Sequence, residues 1–313
     1  MDRANILITG DFDLPIYNES FNVIQLRIPN DDADIIKHLK GMEHYIVGGP
    51  EYVNSNILSQ AQQLKHIVVM GTGTNSFVDL NAAKTKNIKV ENTPSINSNA
   101  VAEFALGAII TNLASSFHSK DELLNGRWYQ KSHDTLSDIT IGIIGLGNIG
   151  KKLTIKIKAI SSTTQIIYYS RTRNEYFENE YGTKFKNLLE LSKECDVIVL
   201  CLTYNEQSHN IINSQFLNSA KKNMMIFNFS NPLIIDPIAL SKSLHTNSIG
   251  FAYFDGYYDE WINNKGAGSD KYGLLNLGSN KFIATSHIAA QAKSVILELL
   301  SEAFIKIKEF GLN

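Results

Sequence analysis

The stretch Ile141-Gly142-Ile143-Ile144-Gly145-Leu146-Gly147-Asn148-Ile149-Gly150 decides how the chain is read. A short apolar run, Ile141 to Ile144, enters a Gly-x-Gly-x-x-Gly turn, and Lys151-Lys152-Leu153-Thr154-Ile155 then reads as the start of a helix. Strand, glycine turn and helix in that order are what a bound pyrophosphate requires. Gly145 permits the tight turn, Gly147 lets backbone amides approach the phosphates, and Gly150 lets helix pack against strand. The helix N-terminus adds N–H donors and a partial positive charge. Gly145, Gly147, Asn148, Ile149 and Gly150 are therefore candidate dinucleotide contacts.

The next apolar run, Gln165 to Tyr169, ends where an adenosine ribose would lie. An NAD site normally has Asp or Glu there to bond the 2′-hydroxyl. Here the residues are Ser170-Arg171-Thr172-Arg173, and no carboxylate follows until Glu175. Arg attracts a 2′-phosphate, and Ser or Thr donates hydrogen bonds to it. Ser170, Arg171 and Thr172 thus point to NADP(H), with NAD(H) as the weaker alternative; a solvated basic loop is the non-functional reading.

Moving outward, Ile6-Leu7-Ile8, Tyr45-Ile46-Val47, Ile67-Val68-Val69-Met70, Val197-Ile198-Val199-Leu200 and Met224-Met225-Ile226-Phe227 also read as buried strands. Between the second and third of these, Val53, Ile57, Leu58 and Leu64 have helix-like spacing. Continuous apolar strands alternating with helical patterns specify parallel sheets covered on both faces. Two sets of such strands imply two α/β domains. The polar stretch Asn92 to Asn99 reads as a hinge, followed by one long apolar helix from Ala100 to Phe117.

Composition bounds the function. The chain has 313 residues, 43% of them hydrophobic and 19% charged, which supports buried cores and excludes disorder as the main state. A net charge of −2 gives no general drive toward nucleic acid or anionic lipid. Cys195 and Cys201 cannot staple a chain of this size, so the expectation is a reducing, cytoplasmic setting. No signal-peptide pattern opens the sequence, and the longest apolar stretch, Val101 to Leu113, is broken by Glu103, Gly107, Thr111 and Asn112, so no membrane association is expected. No His/Cys/Asp cluster has metal-ligand spacing. His44, His66 and His118 read as structural.

These residues together resemble the D-2-hydroxyacid dehydrogenases, which include phosphoglycerate, glyoxylate/hydroxypyruvate and formate dehydrogenases. Leu64-Lys65-His66-Ile67-Val68 with Gly71-Thr72-Gly73 is similar to the family's substrate-side strand and loop, Asn92-Thr93-Pro94 and Ala100-Val101-Ala102-Glu103 to its interdomain crossing, and Gly142 to Gly150 to its nucleotide fingerprint, with Asn148 where Arg is usual. Tyr169-Ser170-Arg171-Thr172 resembles the NADP-using branch. The resemblance implies two Rossmann-like, doubly wound domains with parallel sheets and a cleft between them. Residues 1–96 with 287–313 would form the discontinuous substrate domain, including a final helix from about Ala292 to Phe310, and 97–286 the cofactor domain. It further implies cofactor contacts from Thr72, Leu202, Thr203, Phe229, Ser230, Asp255, His287 and Ala289, and a homodimer formed through the cofactor domain.

The family pairs a His acid/base with a Glu and anchors substrate with an Arg. His287, in Thr285-Ser286-His287-Ile288-Ala289-Ala290, matches the catalytic His motif. Imidazole titrates near neutrality, which suits proton delivery to a carbonyl oxygen as hydride reaches its carbon. Glu260 in Asp255-Gly256-Tyr257-Tyr258-Asp259-Glu260-Trp261 matches the paired carboxylate, with Asp259 as the alternative. The anchoring Arg is missing: Asn228-Phe229-Ser230-Asn231-Pro232 has Asn231 in its place. Losing a bidentate Arg–carboxylate pair costs on the order of 3–6 kcal/mol, or roughly 10²–10⁴ in catalytic efficiency. Ile46-Val47-Gly48-Gly49-Pro50 offers no base instead, though Arg127 or a partner-subunit residue is a candidate. Asn231 is read as a cofactor contact, a replacement anchor or a mark of lost activity. The leading expectation is an NADP(H)-dependent oxidoreductase acting on a small 2-hydroxy or 2-keto acid or related carbonyl compound; the alternative is a weakly active or inactive cofactor-binding sensor or scaffold.

Overall fold

The structure, a computed structural model, describes residues 3–14, 21–258 and 270–310. The chain divides into two compact units, Met1–Asn97 with Ala290–Asn313, and Ser98–Ala289.

Unit 1 holds β1 (Ala4–Thr9), β2 (Phe21–Leu26), β3 (His44–Val47), β4 (His66–Val69) and β5 (Lys89–Asn92) in one parallel sheet of order β2-β1-β3-β4-β5. Its short helices are α1 (Asp32–His38), α2 (Ser55–Gln60) and α3 (Leu80–Thr85), whose N-termini are capped by the side chains of Asp31, Asn54 and Asp79. The central strands β3 and β4 are buried throughout, as continuous apolar runs between helices must be. The edge strands β2 and β5 mix polar with apolar residues, which is why hydrophobicity alone does not mark them. The helical pattern expected around Val53 to Leu64 condenses to the six residues of α2, and Val53 instead forms an isolated bridge with Val78. A C-terminal helix, Lys293–Phe310, buries Leu299, Leu300, Ala303 and Ile307 in this unit.

Unit 2 begins with α4 (Ser98–Leu113) and α5 (Ser116–Leu124). Seven strands follow: β6 (Thr140–Ile144), β7 (Gln165–Tyr169), β8 (Lys184–Phe185), β9 (Val197–Leu200), β10 (Met225–Asn228), β11 (Phe251–Asp255) and β12 (Phe282–Thr285). They form one parallel sheet of order β12-β11-β10-β9-β6-β7-β8. Between them lie α6 (Asn148–Ile160), α7 (Glu175–Tyr181), α8 (Leu188–Glu194), α9 (Ser214–Asn218) and α10 (Pro237–His245). β10 lies one residue later than the apolar run suggests, because Met224 is spent on the preceding turn, where its N–H donates to Lys221 O.

The single helix expected from Ala100 to Phe117 is two helices bent by 52°. Thr111 Oγ1 and Asn112 Nδ2 donate back to the carbonyls of Gly107 and Ala108, and Ser115 turns left-handed at φ 51°. Polar side chains competing for helix carbonyls next to a left-handed residue end the helix there. Among the described residues no single helix is long and apolar enough to cross a membrane, and no group of three or more His, Cys, Asp or Glu is arranged to hold a metal ion.

Candidate functional site

The glycine turn lies at the switch point of the unit 2 sheet, where the chain runs from β6 outward through β7 and β8 before crossing to β9 on the other side. Gly145 sits at φ +104° beside the end of β9, and a Cβ there would come within 2.7 Å of Cys201 O and 3.0 Å of Leu202 N. Its N–H donates to Tyr169 O at 2.8 Å, tying the turn to β7. A Cβ on Gly150 would overlap Gly145 O, so only glycine lets α6 start this close to β6. A Cβ on Gly147 would have nothing within 4 Å, leaving its backbone open to a ligand. The helix itself starts at Asn148, three residues earlier than Lys151, with Gly147 as an N-cap that has no side chain to cap it. Asn148 and Ile149 are thus first-turn residues, at the positively polarised end of the helix where an anion is favoured.

After β7 the chain is held by a network absent from the sequence pattern. Tyr168 OH donates to Glu178 Oε1 at 2.7 Å and accepts from Asn174 N at 2.7 Å. Arg173 grips the same carboxylate through Nε at 2.9 Å and Nη2 at 2.7 Å, holding Glu178 below the usual carboxylate range. Ser170 Oγ donates to Thr172 O across the turn. Arg173 and Glu178 therefore satisfy each other, while Arg171, exposed two residues earlier, has no ion pair among the described residues.

The unit 2 residues singled out from sequence lie in strand order along one carboxyl edge of this sheet. Ser170, Arg171 and Thr172 follow β7, Gly145 to Gly150 follow β6, Leu202 and Thr203 follow β9, Phe229, Ser230 and Asn231 follow β10, Asp255 ends β11, and His287 and Ala289 follow β12. Glu260 and Asp259 lie outside the described residues. Thr72 belongs to unit 1, where its carbonyl accepts from Asn92 Nδ2 at 2.7 Å.

At the far end of that edge the chain makes a clamp. Asp255, 4% exposed, accepts from Thr285 Oγ1 at 2.8 Å and Ile288 N at 2.8 Å on Oδ1, and from Ala289 N at 2.9 Å on Oδ2. Tyr253 OH meets Thr285 Oγ1 at 3.1 Å from below. Inside the clamped loop His287 adopts φ +56°, a left-handed conformation that costs a non-glycine residue about 1–2 kcal/mol, and its N–H donates to Thr285 O at 2.9 Å. A strained residue persists only where its surroundings over-determine it. The three donors on one carboxylate do so here, and they make Asp255 the holder of the His287 loop, a task the sequence does not show.

The β10 loop is also fastened. Asn228, buried, takes the N–H of Ser230 at 2.9 Å, and the Oδ1 of Asn231 accepts from Leu233 N at 2.9 Å, capping a short 3-10 turn that begins at Pro232. Asn231 is thus committed in part to its own backbone. Ser230 Oγ is buried without a hydrogen-bond partner among the described residues. Arg127, the cation considered as a substitute anchor, is exposed and forked onto Glu122, with Nη2 to Oε1 at 2.6 Å.

Other candidates resolve into packing. Burial pushes the thiols of Cys195 and Cys201 up to about 12. His44 and His66 are buried at the start of β3 and β4, and the His66 ring stacks on Phe310 at 4.7 Å. His118 meets the Tyr129 ring edge-on at 4.7 Å.

A family model, the D-isomer specific 2-hydroxyacid dehydrogenase NAD binding domain, matches residues 91–289. The glyoxylate reductase of Pyrococcus horikoshii is 25% identical over 299 residues, spanning 88% of each chain. The D-lactate dehydrogenase of Aquifex aeolicus, solved with NAD and lactic acid, has a TM-score of 0.82 at 24% identity, covering 97% of this chain and 95% of that one. The NADPH-dependent glyoxylate/hydroxypyruvate reductase of Sinorhizobium meliloti, solved with NADP and malonate, has a TM-score of 0.76 at 21% identity over 94% of this chain and 89% of that one. With the glycine turn, the parallel sheet and its switch point in place, the chain belongs to the D-isomer specific 2-hydroxyacid dehydrogenase family of oxidoreductases, which act on CH–OH groups, and residues 91–289 match the family's NAD binding domain.

Proposed function

We propose that the chain is an NADP(H)-preferring oxidoreductase that interconverts a small 2-hydroxy acid, or a related hydroxyl compound, with its carbonyl form. The observation that carries this reading is the alignment of the phosphate turn, the basic β7 loop and the clamped His287 loop along one sheet edge. β6 and β12 are four strand positions apart, about 19 Å at ~4.8 Å per strand, a span suited to an extended dinucleotide with a substrate at its far end. The residues fit such a cofactor, since Gly147 is open and the first turn of α6 carries no side-chain cap. The bound nicotinamide supplies or accepts the hydride.

The chain's own groups do the rest. The N–H donors of Asn148, Ile149 and Gly150 hold the pyrophosphate. Arg171, with the hydroxyls of Ser170 and Thr172, receives the 2′-phosphate, while Glu178 is already neutralised by Arg173. Leu202, Thr203, Phe229, Ser230 and Ala289 line the approach to the nicotinamide end. His287 gives a proton to the carbonyl oxygen in reduction and takes it back in oxidation, with Glu260 as the carboxylate that tunes it. Unit 1 serves the substrate, and Thr72 is its contact to the cofactor.

Competitive titration with NADPH and NADH tests the cofactor assignment. Tighter NADPH binding is expected, with Arg171→Ala weakening it by about 10–100-fold, the worth of about 1.5–3 kcal/mol for one charged hydrogen bond, while NADH binding hardly changes. Tighter NADH binding would remove the preference. Loss of turnover in His287→Ala with cofactor binding retained is the outcome expected for an acid/base; unchanged turnover would sink it.

The second reading, a cofactor-binding protein with little turnover, is favoured by Asn231, whose side-chain oxygen caps its own turn. Cofactor binding without reduction of any member of a panel of keto acids and neutral ketones would establish it. A homodimer through unit 2 is supported by the exposed apolar side chains of Phe117, Leu123, Leu124 and Trp128, the last 81% exposed. Sedimentation that gives a monomer at micromolar concentration would exclude it.

A further inference from the structure

The turn between β7 and α7, residues 170–174, is fastened at both ends. At its start, Tyr169 O accepts from Gly145 N at 2.8 Å, which ties it to the phosphate turn. At its end, Asn174 caps α7 by accepting from Phe177 N at 3.0 Å, and its own N–H donates to Tyr168 OH at 2.7 Å. Between the two, Ser170 Oγ donates across the turn to Thr172 O.

The fastening groups stand behind the turn. Tyr168 is wholly buried, with its ring edge-on to Phe185 at 5.4 Å. Burial pushes its phenol up to about 12, so it stays a donor at neutral pH. That hydroxyl and Arg173 share one carboxylate, Glu178, whose side chain is 12% exposed against 57% for Arg173. An exposed ion pair usually holds little, but a forked guanidinium on a carboxylate that a buried phenol also bonds fixes one geometry. Of the two arginines in the turn, Arg173 is therefore committed backward to α7, and Arg171 is the exposed one with no ion pair among the described residues. Ordering one residue on binding weakens affinity by about 5–30-fold, and a turn that is already ordered keeps that factor.

We propose that Glu178, with Tyr168, is a positioning residue for cofactor choice: by holding Arg173 and Asn174 it presets the turn, so that Arg171 meets a 2′-phosphate without reordering. Glu178 acts through Arg171 and touches no cofactor atom itself. This role rests on the NADP(H) preference proposed for the chain.

Calorimetric titration of the whole chain with 2′,5′-ADP and with 5′-AMP isolates the contribution of the 2′-phosphate, the one group by which the two differ. The wild type should bind 2′,5′-ADP at least about tenfold more tightly, the worth of one charged hydrogen bond. Glu178→Gln, which keeps the shape and removes the charge, should shrink that ratio by about 5–10-fold, with 5′-AMP binding within about twofold of wild type. Tyr168→Phe, which deletes the donor to Glu178 and the acceptor for Asn174 N, should do the same. In an Arg171→Ala background Glu178→Gln should leave the ratio within about twofold, because a residue that acts through Arg171 has nothing left to position. A merely structural role would instead weaken both nucleotides alike in either background. A wild-type preference that survives both single variants overturns the role alone, as does tighter 2′,5′-ADP binding by Glu178→Gln or an undiminished effect of that change in Arg171→Ala. A wild type that binds the two nucleotides equally overturns the NADP(H) reading, and the role with it.

Discussion

Asp255→Asn probes the support of the His287 loop. The exchange keeps volume but puts an amide NH₂ where Oδ2 accepts from Ala289 N at 2.9 Å, so donor faces donor in a buried position. One hydrogen bond to a charged acceptor is worth about 1.5–3 kcal/mol, and the remaining bonds from Thr285 Oγ1 and Ile288 N weaken as their acceptor becomes neutral. The total is about 2–4 kcal/mol. For a domain of this size 1 kcal/mol moves Tm by roughly 2–4 °C, so scanning calorimetry should show unit 2 melting about 4–16 °C lower. The left-handed His287 then loses its main constraint, and a displacement of ~1 Å at a reacting group costs about 10²-fold in kcat. The glycine turn lies three strand positions from β11, so the Kd for NADPH should stay within about threefold. A variant with unchanged Tm and kcat would refute the clamp, and an unchanged Tm with NADPH binding weakened more than about tenfold would make Asp255 a ligand contact.

The two glycines of the turn should separate fold from binding. Gly150→Ala forces α6 off β6, because its Cβ overlaps Gly145 O and meets Ile143 Cγ2 at 3.2 Å; both Tm and NADPH affinity should fall. Gly147→Ala meets nothing within 4 Å, so Tm should hold within about 1 °C while NADPH binding weakens. Asn231→Arg removes the cap on Leu233 N, a loss of about 1 kcal/mol in thermal unfolding, and should raise kcat/KM for glyoxylate only if the missing guanidinium is what limits that substrate. Burial holds His66 at about 4 against an ordinary 6.5, despite Glu91 Oε2 lying 2.9 Å from Nε2 without hydrogen-bond geometry. The unfolded chain therefore binds a proton that the folded one refuses between those values. The contribution is complete above pH ~6.5 and is lost as pH falls toward 4, amounting to about 3 kcal/mol at ~1.36 kcal/mol per unit. Urea titrations across that window should show a flatter pH dependence in His66→Phe, and identical slopes would contradict the assignment.

How much of this was legible in the sequence differs element by element. The central strands are continuous apolar runs because both their faces are covered, so β3, β4, β6, β7 and β9 could be read directly. The edge strands β2, β5 and β8 could not, since exposure relaxes the demand for apolar residues. The bend at Ser115 was hidden in a largely apolar run, because backbone competition from Thr111 and Asn112 leaves no hydrophobic signature.

The site divides in the same way. The glycine turn is written in sequence because its whole pattern falls within six residues, although only Gly150 answers to a neighbour in the turn itself, Gly145 O, while Gly145 is constrained by Cys201 and Leu202 on another strand. Local order also marks the absence of a carboxylate after β7 and the arginine that replaces it. Asp255 as a clamp, Glu178 as the partner of Arg173 and Tyr168, and the buried Glu51 under Gly49 are products of tertiary structure. Asp255 joins segments 30 or more residues apart, and Tyr168, Arg173 and Glu178, though within ten residues, meet only because the chain turns back after β7. The sequence by itself determined the cofactor fold and the basic character of the turn after β7; the tertiary structure alone decided how the histidine loop is held and that Glu51 of unit 1 is buried against Thr9 and Tyr45, because both depend on burial and on distances between residues far apart in the chain.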